Sequence, residues 1–582
     1  MMHQFSVWAP LSKSVEVLAA GVKCTARPEG NGWWGATVAS TGAEWDYGFI
    51  LDGLGPFPDP RSGWQPSGVQ GLSRVVDHSS FGWTDAGWQA PPFSSAIVYE
   101  LHVGTFTPTG TFEAVIAKLD HLVELGVTHI ELMPVGEFPG ARGWGYDGVC
   151  LFAPHHAYGG PYGLKQLVNA CHARRLAVLL DVVYNHVGPS GNSLDRFGPY
   201  FTQRHSTPWG PAINFDGQDS HHVRRFFFDN AIMWLRDYHM DGLRLDAVHA
   251  IADASALPFL EELSMVVEQL EAQSGRHLVL IAESDLNDPR LLLPRQSGGF
   301  GLHAQWNDDV HHALHAILTG EHAGYYADFG TLEDLSQALR HGFVYDGRYS
   351  VYRRRHHGRR ASGLGGQTLL AYLQTHDQIG NRAKGERSSR TMSLGRLKTG
   401  ATLVLTSPFV PMLFQGEEWG ASTPFLYFTD HQERSLAEAV REGRRREFAV
   451  FGWEADEIPD PQSSETFDLS KLDWSEPTKS PHAEVLGYHQ RLIRLRHAEP
   501  VLAAGRLEDV GTRYNEQDRW LVVERGPISV ACNFGAHPQR IPLHPGKHGI
   551  LLATEICPEE VRGGISLPPD SAAILKSRGP AT

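Results

Sequence analysis

At 582 residues the chain is long enough for more than one domain, and with 41% hydrophobic and 20% charged residues it has the composition of an ordinary globular protein. Its net charge of −15, with no basic stripe to offset it, disfavours nucleic acid as a partner. No apolar run reaches the roughly 20 residues of a membrane helix, and the first ten residues lack the pattern of a secretion signal, so we expect neither a membrane protein nor a secreted one.

Cysteine usage predicts a reduced, cytoplasmic protein. The cysteines are odd in number, scattered, and free of any metal-ligand spacing. They are Cys24, Cys150, Cys171, Cys532 and Cys557. Because no His-Glu-x-x-His or Cys-x-x-Cys pattern is present, we expect no transition-metal centre. The sequence also lacks a Gly-x-x-x-x-Gly-Lys loop and a Gly-x-Ser-x-Gly turn, so neither nucleotide hydrolysis nor serine esterase chemistry is supported.

The first 92 residues are predicted to form a small β-sandwich, joined to the rest of the chain through Pro91–Pro92. Short β-like runs there are separated by Gly, Pro and Asn turns. The runs are Phe5–Val7, Val15–Leu18, Gly35–Val38 and Trp45–Leu51.

Residues 93–500 alternate apolar strands with amphipathic helical stretches, which predicts a (β/α)₈ TIM barrel with a parallel sheet. The candidate strands are Ala96–Gly104, Val127–Val135, Leu176–His186, Asp241–Val248, His277–Ser284, Gly301–Trp306, Thr368–Asp377 and Phe409–Gln415. Helical periodicity is clear in the stretches around Phe112–Val123, Phe226–Leu235 and Leu263–Leu270. After the third strand, residues 186–220 form a long connection rich in Gly, Pro and aromatics, predicted to be a loop insertion over the barrel mouth.

A C-terminal β-domain is predicted for residues 501–582. Its clearest strand-like runs are Trp520–Glu524, Ile528–Asn533 and Ala572–Leu575.

Three carboxylates mark the chemistry: Asp246, Glu283 and Asp377 each end a predicted strand. The active site of a TIM barrel lies at that end of its strands, and paired carboxylates there suit cleavage of a glycosidic bond. Arg244 lies two residues before Asp246 and so on the same side of the strand, where a guanidinium keeps a carboxylate ionised, as a nucleophile requires. Glu283 follows five apolar residues, an environment that raises a carboxyl pKa and suits a general acid.

Polar and aromatic residues near the other strand ends suit sugar binding. Asp181 and His186 end the third strand, and His376 precedes Asp377. Aromatic faces in loops can stack on sugar rings. The candidates are Trp144, Tyr146, Trp209, Trp306 and Trp419. Trp419 belongs to the segment Gly416–His431, which follows the eighth strand and is expected to form part of the leaving-group side of the site.

Four segments resemble, in order, the signature segments of the α-amylase superfamily: Asp181–His186, Gly242–Asp246, Ile281–Glu283 and His376–Asp377. The resemblance covers about residues 95–500 and extends to the flanking β-domains. It implies Asp246 as nucleophile, Glu283 as general acid/base and Asp377 as transition-state stabiliser. It also implies that Arg244, His186 and His376 bind the sugar or tune the nucleophile, and that Tyr146 stacks on the ring at the cleavage site. Asp181, at the end of the third strand, is a further candidate for substrate binding.

Further segments resemble the maltooligosyltrehalose trehalohydrolase family. They are Ile213–Gly217 with Arg224–Asn230, Gly416–His431, and Gly443–Phe448 with Pro459–Pro461 and Lys471–Trp474. The resemblance implies hydrolysis of the α-1,4-glucosidic bond next to the terminal trehalose of a maltooligosyl trehalose, by a retaining double displacement, in a pathway shared with a maltooligosyltrehalose synthase. For such a mechanism we expect the two catalytic carboxyls about 5–5.5 Å apart.

Two alternatives stay open from sequence: a glycogen branching enzyme, which passes the glucan to another chain instead of to water, and a non-catalytic carbohydrate-binding protein. The intact set of three acids argues against the second. In some α-amylases the position of Asn185 binds calcium, but residues 186–220 are short for a calcium lobe and hold no dense carboxylate cage, so we expect no required metal and no cofactor.

Overall fold

Eight parallel strands, β1 to β8, close into a barrel at the centre of the chain. The computed structural model describes residues 2–39, 45–207, 209–449, 458–555, 559–561 and 563–578. Strands β1 to β8 are Val98–Leu101, His129–Leu132, Ala177–Val182, Gly242–Leu245, Val279–Ala282, Ala304–Trp306, Leu369–Tyr372 and Val410–Phe414. Each lies within a strand predicted from sequence, and the TIM barrel is confirmed. Nearly every strand residue is buried, because helices cover the outside of the barrel and side chains fill its interior.

Helices surround the barrel, and the amphipathic stretches predicted from sequence lie in them. The α-helices are Val103–Phe106, Phe112–Ile116, Leu119–Leu125, Gly160–Ala173, Leu194–Phe197, Ser220–Asp237, Phe259–Ser274, Asp308–Thr319, Leu332–His341, His376–Gly380, Ser388–Thr391, Leu394–Thr406, Arg434–Ala449, Ser464–Leu469, His482–Ala498 and Pro500–Ala503. Among the described helices, none has both the length and the apolar character needed to cross a membrane.

The N-terminal strands form two antiparallel sheets that pack on the side of the barrel. The strands are Met2–Trp8, Val15–Ala19, Val22–Thr25, Arg27–Gly30, Trp33–Ala39, Asp46–Leu51, Leu54–Phe57 and Ser73–Arg74. Trp8 packs its ring on His222, with centroids 4.9 Å apart, and Arg61 pairs with Asp229 at 2.7 Å. Both partners belong to the helix Ser220–Asp237, so this helix attaches the N-terminal sheets to the barrel.

The C-terminal strands form a five-stranded and a three-stranded sheet. They are Val510–Asn515, Trp520–Arg525, Ile528–Asn533, Gln539–Pro542, Lys547–Ala553, Glu559–Val561, Gly564–Leu567 and Ser571–Arg578. Buried Arg525 donates to the carbonyl oxygens of Thr406 at 2.9 Å and Val501 at 2.8 Å. A cation at the last carbonyls of the helix Leu394–Thr406 is favourable, and it ties the C-terminal sheet to the barrel.

Loops at the strand ends carry short hairpins. They are Gly136–Glu137 with Cys150–Pro154, Phe201–Thr207 with Gly210–Ile213, and Asp346–Ser350 with Arg355–Gly358. The second of these lies within the long connection predicted over the barrel mouth. Cys24, Cys150, Cys171 and Cys532 are free thiols, whereas Cys557 lies outside the described residues.

Candidate active site

Arg244 is the centre of the site. It is fully buried on β4, and its Nη1 donates to Asp181 from β3 and to Asp246 after β4, each at 2.8 Å. Its Nη2 lies 3.8 Å from Glu283 after β5, and its guanidinium packs over the ring of Trp306 at 4.2 Å. Three carboxylates from neighbouring strands therefore converge on one cation at the carboxyl end of the barrel.

Both carboxylate oxygens of Asp246 are held in place. Arg244 donates to Oδ1, and the Asn185 amide donates to Oδ2 at 2.7 Å and to the Asp246 carbonyl at 2.8 Å. Ala247 then turns the chain with a φ of 39°, in the left-handed region, and its backbone N–H donates to Glu283. The Asp246 side chain stays 13% exposed, so a carboxylate oriented by these donors faces the mouth of the barrel.

Glu283 has the opposite electrostatic character. Burial, followed by the nearby charges of Asp246 and Asp377, raises the pKa of its carboxyl well above the usual value, although Arg244 acts to lower it. The raised pKa favours the protonated form of this carboxyl. Two neighbouring carboxyls thus have different surroundings: Asp246 is held by two hydrogen-bond donors, and Glu283 is buried with a raised pKa. Such a difference suits the nucleophile and the acid of a glycosidase.

His376 links Asp377 to the rest of the site. Its Nδ1 is bonded to Glu100 of β1, and its Nε2 lies 2.8 Å from the Tyr146 hydroxyl and 3.4 Å from Asp377. Burial acts to lower the pKa of His376, but Asp377 and Glu100 outweigh it and raise this pKa to about 9. Protonated His376 therefore donates to Tyr146, whose hydroxyl in turn donates to Asp181 at 2.6 Å.

His186 and Trp209 form the wall beside this network. The His186 Nε2 donates to the Tyr146 carbonyl oxygen at 3.0 Å, and its Nδ1 is bonded to the amide oxygen of Asn185. Trp209 stacks on His186 with centroids 4.5 Å apart and is 50% exposed. Its outer face is thus available to a sugar ring.

The prediction that Trp419 stacks on sugar is wrong. Its indole is completely buried, donates to Glu476 at 3.2 Å and packs against Trp474. The first part of the segment Gly416–His431 turns inward, since Glu417 and Glu418 are also buried. Trp144 and Trp306 are likewise buried, so among the five aromatic candidates only Tyr146 and Trp209 present surface at the mouth.

The later part of the same segment supports a neighbouring loop. Asp430 accepts from the Ala141 N–H and from Arg142, each at 2.9 Å, and Phe425 stacks on Trp144. The loop held in this way leads directly to Tyr146. The segment Gly416–His431 therefore helps to position Tyr146 by holding the residues that precede it.

Sequence reasoning missed Glu100, the partner of His376, and passed over the role of Asn185 as a donor to Asp246. Glu100 did leave a signal, because it is a lone charge within the otherwise apolar strand β1. A lone charge in a strand that should be buried implies a polar partner inside the barrel.

One cluster in the described residues has the composition of a metal site: Glu137, His155 and His156. However, Glu137 already accepts from the His156 backbone N–H at 2.8 Å and lies 2.6 Å from its Nδ1. Two ligands on one tetrahedral zinc ion would lie about 3.3 Å apart. Glu137 and His156 are thus hydrogen-bonded to each other at a separation shorter than that of two ligands on one zinc ion.

Comparison with known proteins places the chain in a family. A family model described as alpha amylase, catalytic domain, matches residues 77–204, and one described as a domain of unknown function, DUF3459, matches residues 505–574. A malto-oligosyltrehalose trehalohydrolase from Rhizobium sp. (strain M-11) is 48% identical, with 98% of this chain and 97% of the relative covered. One from Arthrobacter ramosus is 50% identical, with 99% and 100% covered. The chain belongs to the malto-oligosyltrehalose trehalohydrolase family.

A solved structure supports the same architecture for this family member. A protein from Salmonella typhimurium described as an alpha amylase superposes with a TM-score of 0.90 at 39% identity, with 99% of this chain and 98% of the other covered. By contrast, a 1,4-alpha-glucan branching enzyme from Mycolicibacterium paratuberculosis is 27% identical and aligns with 64% of this chain. Similarity to the trehalohydrolases is thus both higher and more extensive than similarity to this branching enzyme.

Proposed function

We propose that this chain hydrolyses the α-1,4-glucosidic bond that joins a malto-oligosaccharide to a terminal trehalose, and so releases trehalose. The observation that carries the proposal is the convergence of Asp246 and Glu283 on Arg244 in a chain of the trehalohydrolase family. The Asp246 carboxylate accepts from two hydrogen-bond donors, and burial raises the pKa of Glu283. That difference between two neighbouring carboxyls defines an acid and a nucleophile.

In the proposed reaction, Asp246 attacks the anomeric carbon while Glu283 protonates the glycosidic oxygen of the departing trehalose. A covalent glycosyl–enzyme ester forms and the C–O bond to trehalose breaks. Glu283, now ionised, takes a proton from water, which displaces Asp246 and restores both carboxyls. The Asp377 side chain is 40% exposed and lies beside protonated His376. It accepts hydrogen bonds from sugar hydroxyls and stabilises the positive charge of the transition state.

Tyr146, Asp181, His186 and His376 bind the ring whose bond is cleaved, with Tyr146 as the stacking face. Hydrogen bonds already connect these four residues in the absence of substrate. A sugar ring can therefore bind without rearranging them, which makes the surface preorganised. Trehalose is compact and bent at its α,α-1,1 link, so a site fitted to it rejects a linear maltose unit that leaves its polar groups unpaired. We further propose that the enzyme acts in the cytoplasm and that a maltooligosyltrehalose synthase supplies its substrate.

Product analysis tests this function against the two alternatives. The protein is incubated with a maltooligosyl trehalose and, separately, with amylose, and the products are separated by chromatography. Free trehalose from the first substrate supports the proposal. New α-1,6 branches in amylose would show a branching enzyme, and binding without any product would show a non-catalytic carbohydrate-binding protein.

A further inference from the structure

A second pair of carboxyls lies inside the barrel beneath the catalytic layer. Glu100 of β1 and Glu131 of β2 are directly opposite each other in the parallel ladder, and both are 1% exposed. Neighbouring strands lie about 4.8 Å apart, so two inward side chains in register are immediate neighbours. Two buried carboxyls at such a short separation cannot both be ionised, so one of them must hold a proton.

The hydrogen bonds decide which carboxyl is charged. Glu100 accepts from the His376 backbone N–H at 3.2 Å and is bonded to its ring Nδ1, so a cation neutralises it. Neither oxygen of Glu131 meets a hydrogen-bond donor within the described part of the chain. Burial first, and the charge of Glu100 next, raise the pKa of Glu131 well above its usual value. These contacts favour Glu131 as the member of the pair that holds the proton.

The groups around Glu131 show what an ionised carboxylate there would disturb. The titratable and charged groups that face it are Glu100 from β1, Asp181 from β3, Arg244 from β4 and His376 after β7. The Nε and Nη2 of Arg244 and the Oδ1 of Asp181 are also buried without a hydrogen-bond partner among the described residues. A charged Glu131 would draw Arg244 away from Asp181 and Asp246. A protonated one leaves Arg244 in place and has an O–H to offer a neighbouring acceptor.

We propose that Glu131 is a positioning residue that holds a proton beneath the active site, so that Glu100 is the only charged member of this pair. Glu100, together with Asp377, then keeps His376 protonated, and Arg244 remains bound to Asp181 and Asp246. The proposal rests on the proposed function for its effect on the reaction. It assigns Glu131 a protonation state, which is measurable whether or not the chain cleaves any substrate.

Matched substitutions of the two neighbours separate this role from simple packing. Glu131→Gln keeps a neutral group with a donor and an acceptor, so kcat/KM for trehalose release should stay within about threefold of the unmodified protein. Glu100→Gln is the same chemical change one strand away, but it removes one of the two charges, Glu100 and Asp377, that support His376. It should lower kcat/KM by at least about tenfold at alkaline pH and move the alkaline limb of the pH profile to lower pH. Glu131→Leu should lose activity that Glu131→Gln retains.

Infrared difference spectroscopy at neutral pH measures the proton directly. Subtracting the Glu131→Gln spectrum from that of the unmodified protein should leave a carbonyl band of a protonated carboxylic acid, and Glu100→Gln should leave none at this pH. Absence of the band from the first difference, or a Glu131→Gln pH profile that moves as far as that of Glu100→Gln, would overturn the proposal. If Glu131→Leu does not fold, the two glutamine variants and the spectra still decide the question. A protein that shows the band but releases no trehalose would contradict the proposed function and leave the protonation state standing.

Discussion

At the scale of single residues, Asp246 and Glu283 have the same functional group in different surroundings, and that difference is what the proposed mechanism uses. Asp246→Asn removes the attacking charge but keeps the acceptor for Arg244, and Glu283→Gln removes the transferable proton. Each variant should fold and lose at least about a thousandfold in kcat. Asp120→Asn is the control, because Asp120 is a carboxylate of the outer surface whose side chain is 78% exposed. Near-normal turnover by either catalytic-site variant would contradict the assignment.

The pH dependence of activity belongs to the same scale. In the proposed mechanism Glu283 must be protonated to release trehalose, and burial raises its pKa. His376, with a pKa of about 9, must be protonated to donate to Tyr146. Activity should therefore persist through neutral pH and fall on the alkaline side, as these groups lose their protons. A profile of kcat/KM against pH measures this, and an alkaline limb near the ordinary glutamate pKa would rule out Glu283 as the acid.

At the scale of elements, the hairpin of Phe201–Thr207 and Gly210–Ile213 brings an aromatic face to the mouth of the barrel. Trp209 is half exposed and backed by His186, which limits its motion. Trp209→Ala should raise KM by about tenfold, in line with the loss of one sugar-stacking surface, and should change kcat less. Tyr162→Ala is a suitable control, since Tyr162 is 64% exposed on the outer helix Gly160–Ala173. Equal effects of the two substitutions would show that Trp209 does not contact substrate.

A second element, the segment before β1, is fastened to the opposite end of the barrel through His172. This imidazole bridges Asp85 at 2.8 Å and Asp241 at 3.0 Å, and Trp88 stacks on it. Burial acts to lower the pKa of His172, but hydrogen bonds with Asp241 and Asp85 outweigh it and raise the pKa. The charged bridge thus adds stability fully below the unfolded histidine pKa of about 6.5, and this stability is lost as the pH rises through the higher folded pKa.

His172→Gln should therefore reduce the free energy of unfolding by about 1–3 kcal/mol at slightly acidic pH, and the difference from the unmodified protein should shrink as the pH rises. Denaturant unfolding at a series of pH values measures both quantities. His277→Gln provides the comparison, because His277 also pairs with a carboxylate but its side chain is 80% exposed. A loss of stability that grows with pH would contradict a charged bridge.

At the scale of the whole molecule, sequence predicted what depends on local pattern. Apolar runs located all eight barrel strands, and carboxylates at the strand ends located the site, because the carboxyl ends of parallel strands meet on one face. The partner of His376 could not be predicted this way, since Glu100 is 276 residues away and meets it only when the barrel closes. The prediction that Trp419 contacts sugar was wrong for a related reason. Position after a strand does not show whether a side chain points to the mouth or packs against a distant segment such as Trp474.

The barrel, its two flanking sheet regions and the site together support one central claim: a retaining hydrolase that cuts beside a terminal trehalose. Proton NMR of the reaction on a maltooligosyl trehalose tests this claim most directly, because it identifies both the bond cleaved and the anomer first formed. We expect trehalose together with a malto-oligosaccharide whose new reducing end is the α-anomer before mutarotation. A β-anomer as first product would contradict the double displacement. Release of glucose or maltose, with trehalose still attached to the remaining chain, would contradict the trehalose specificity.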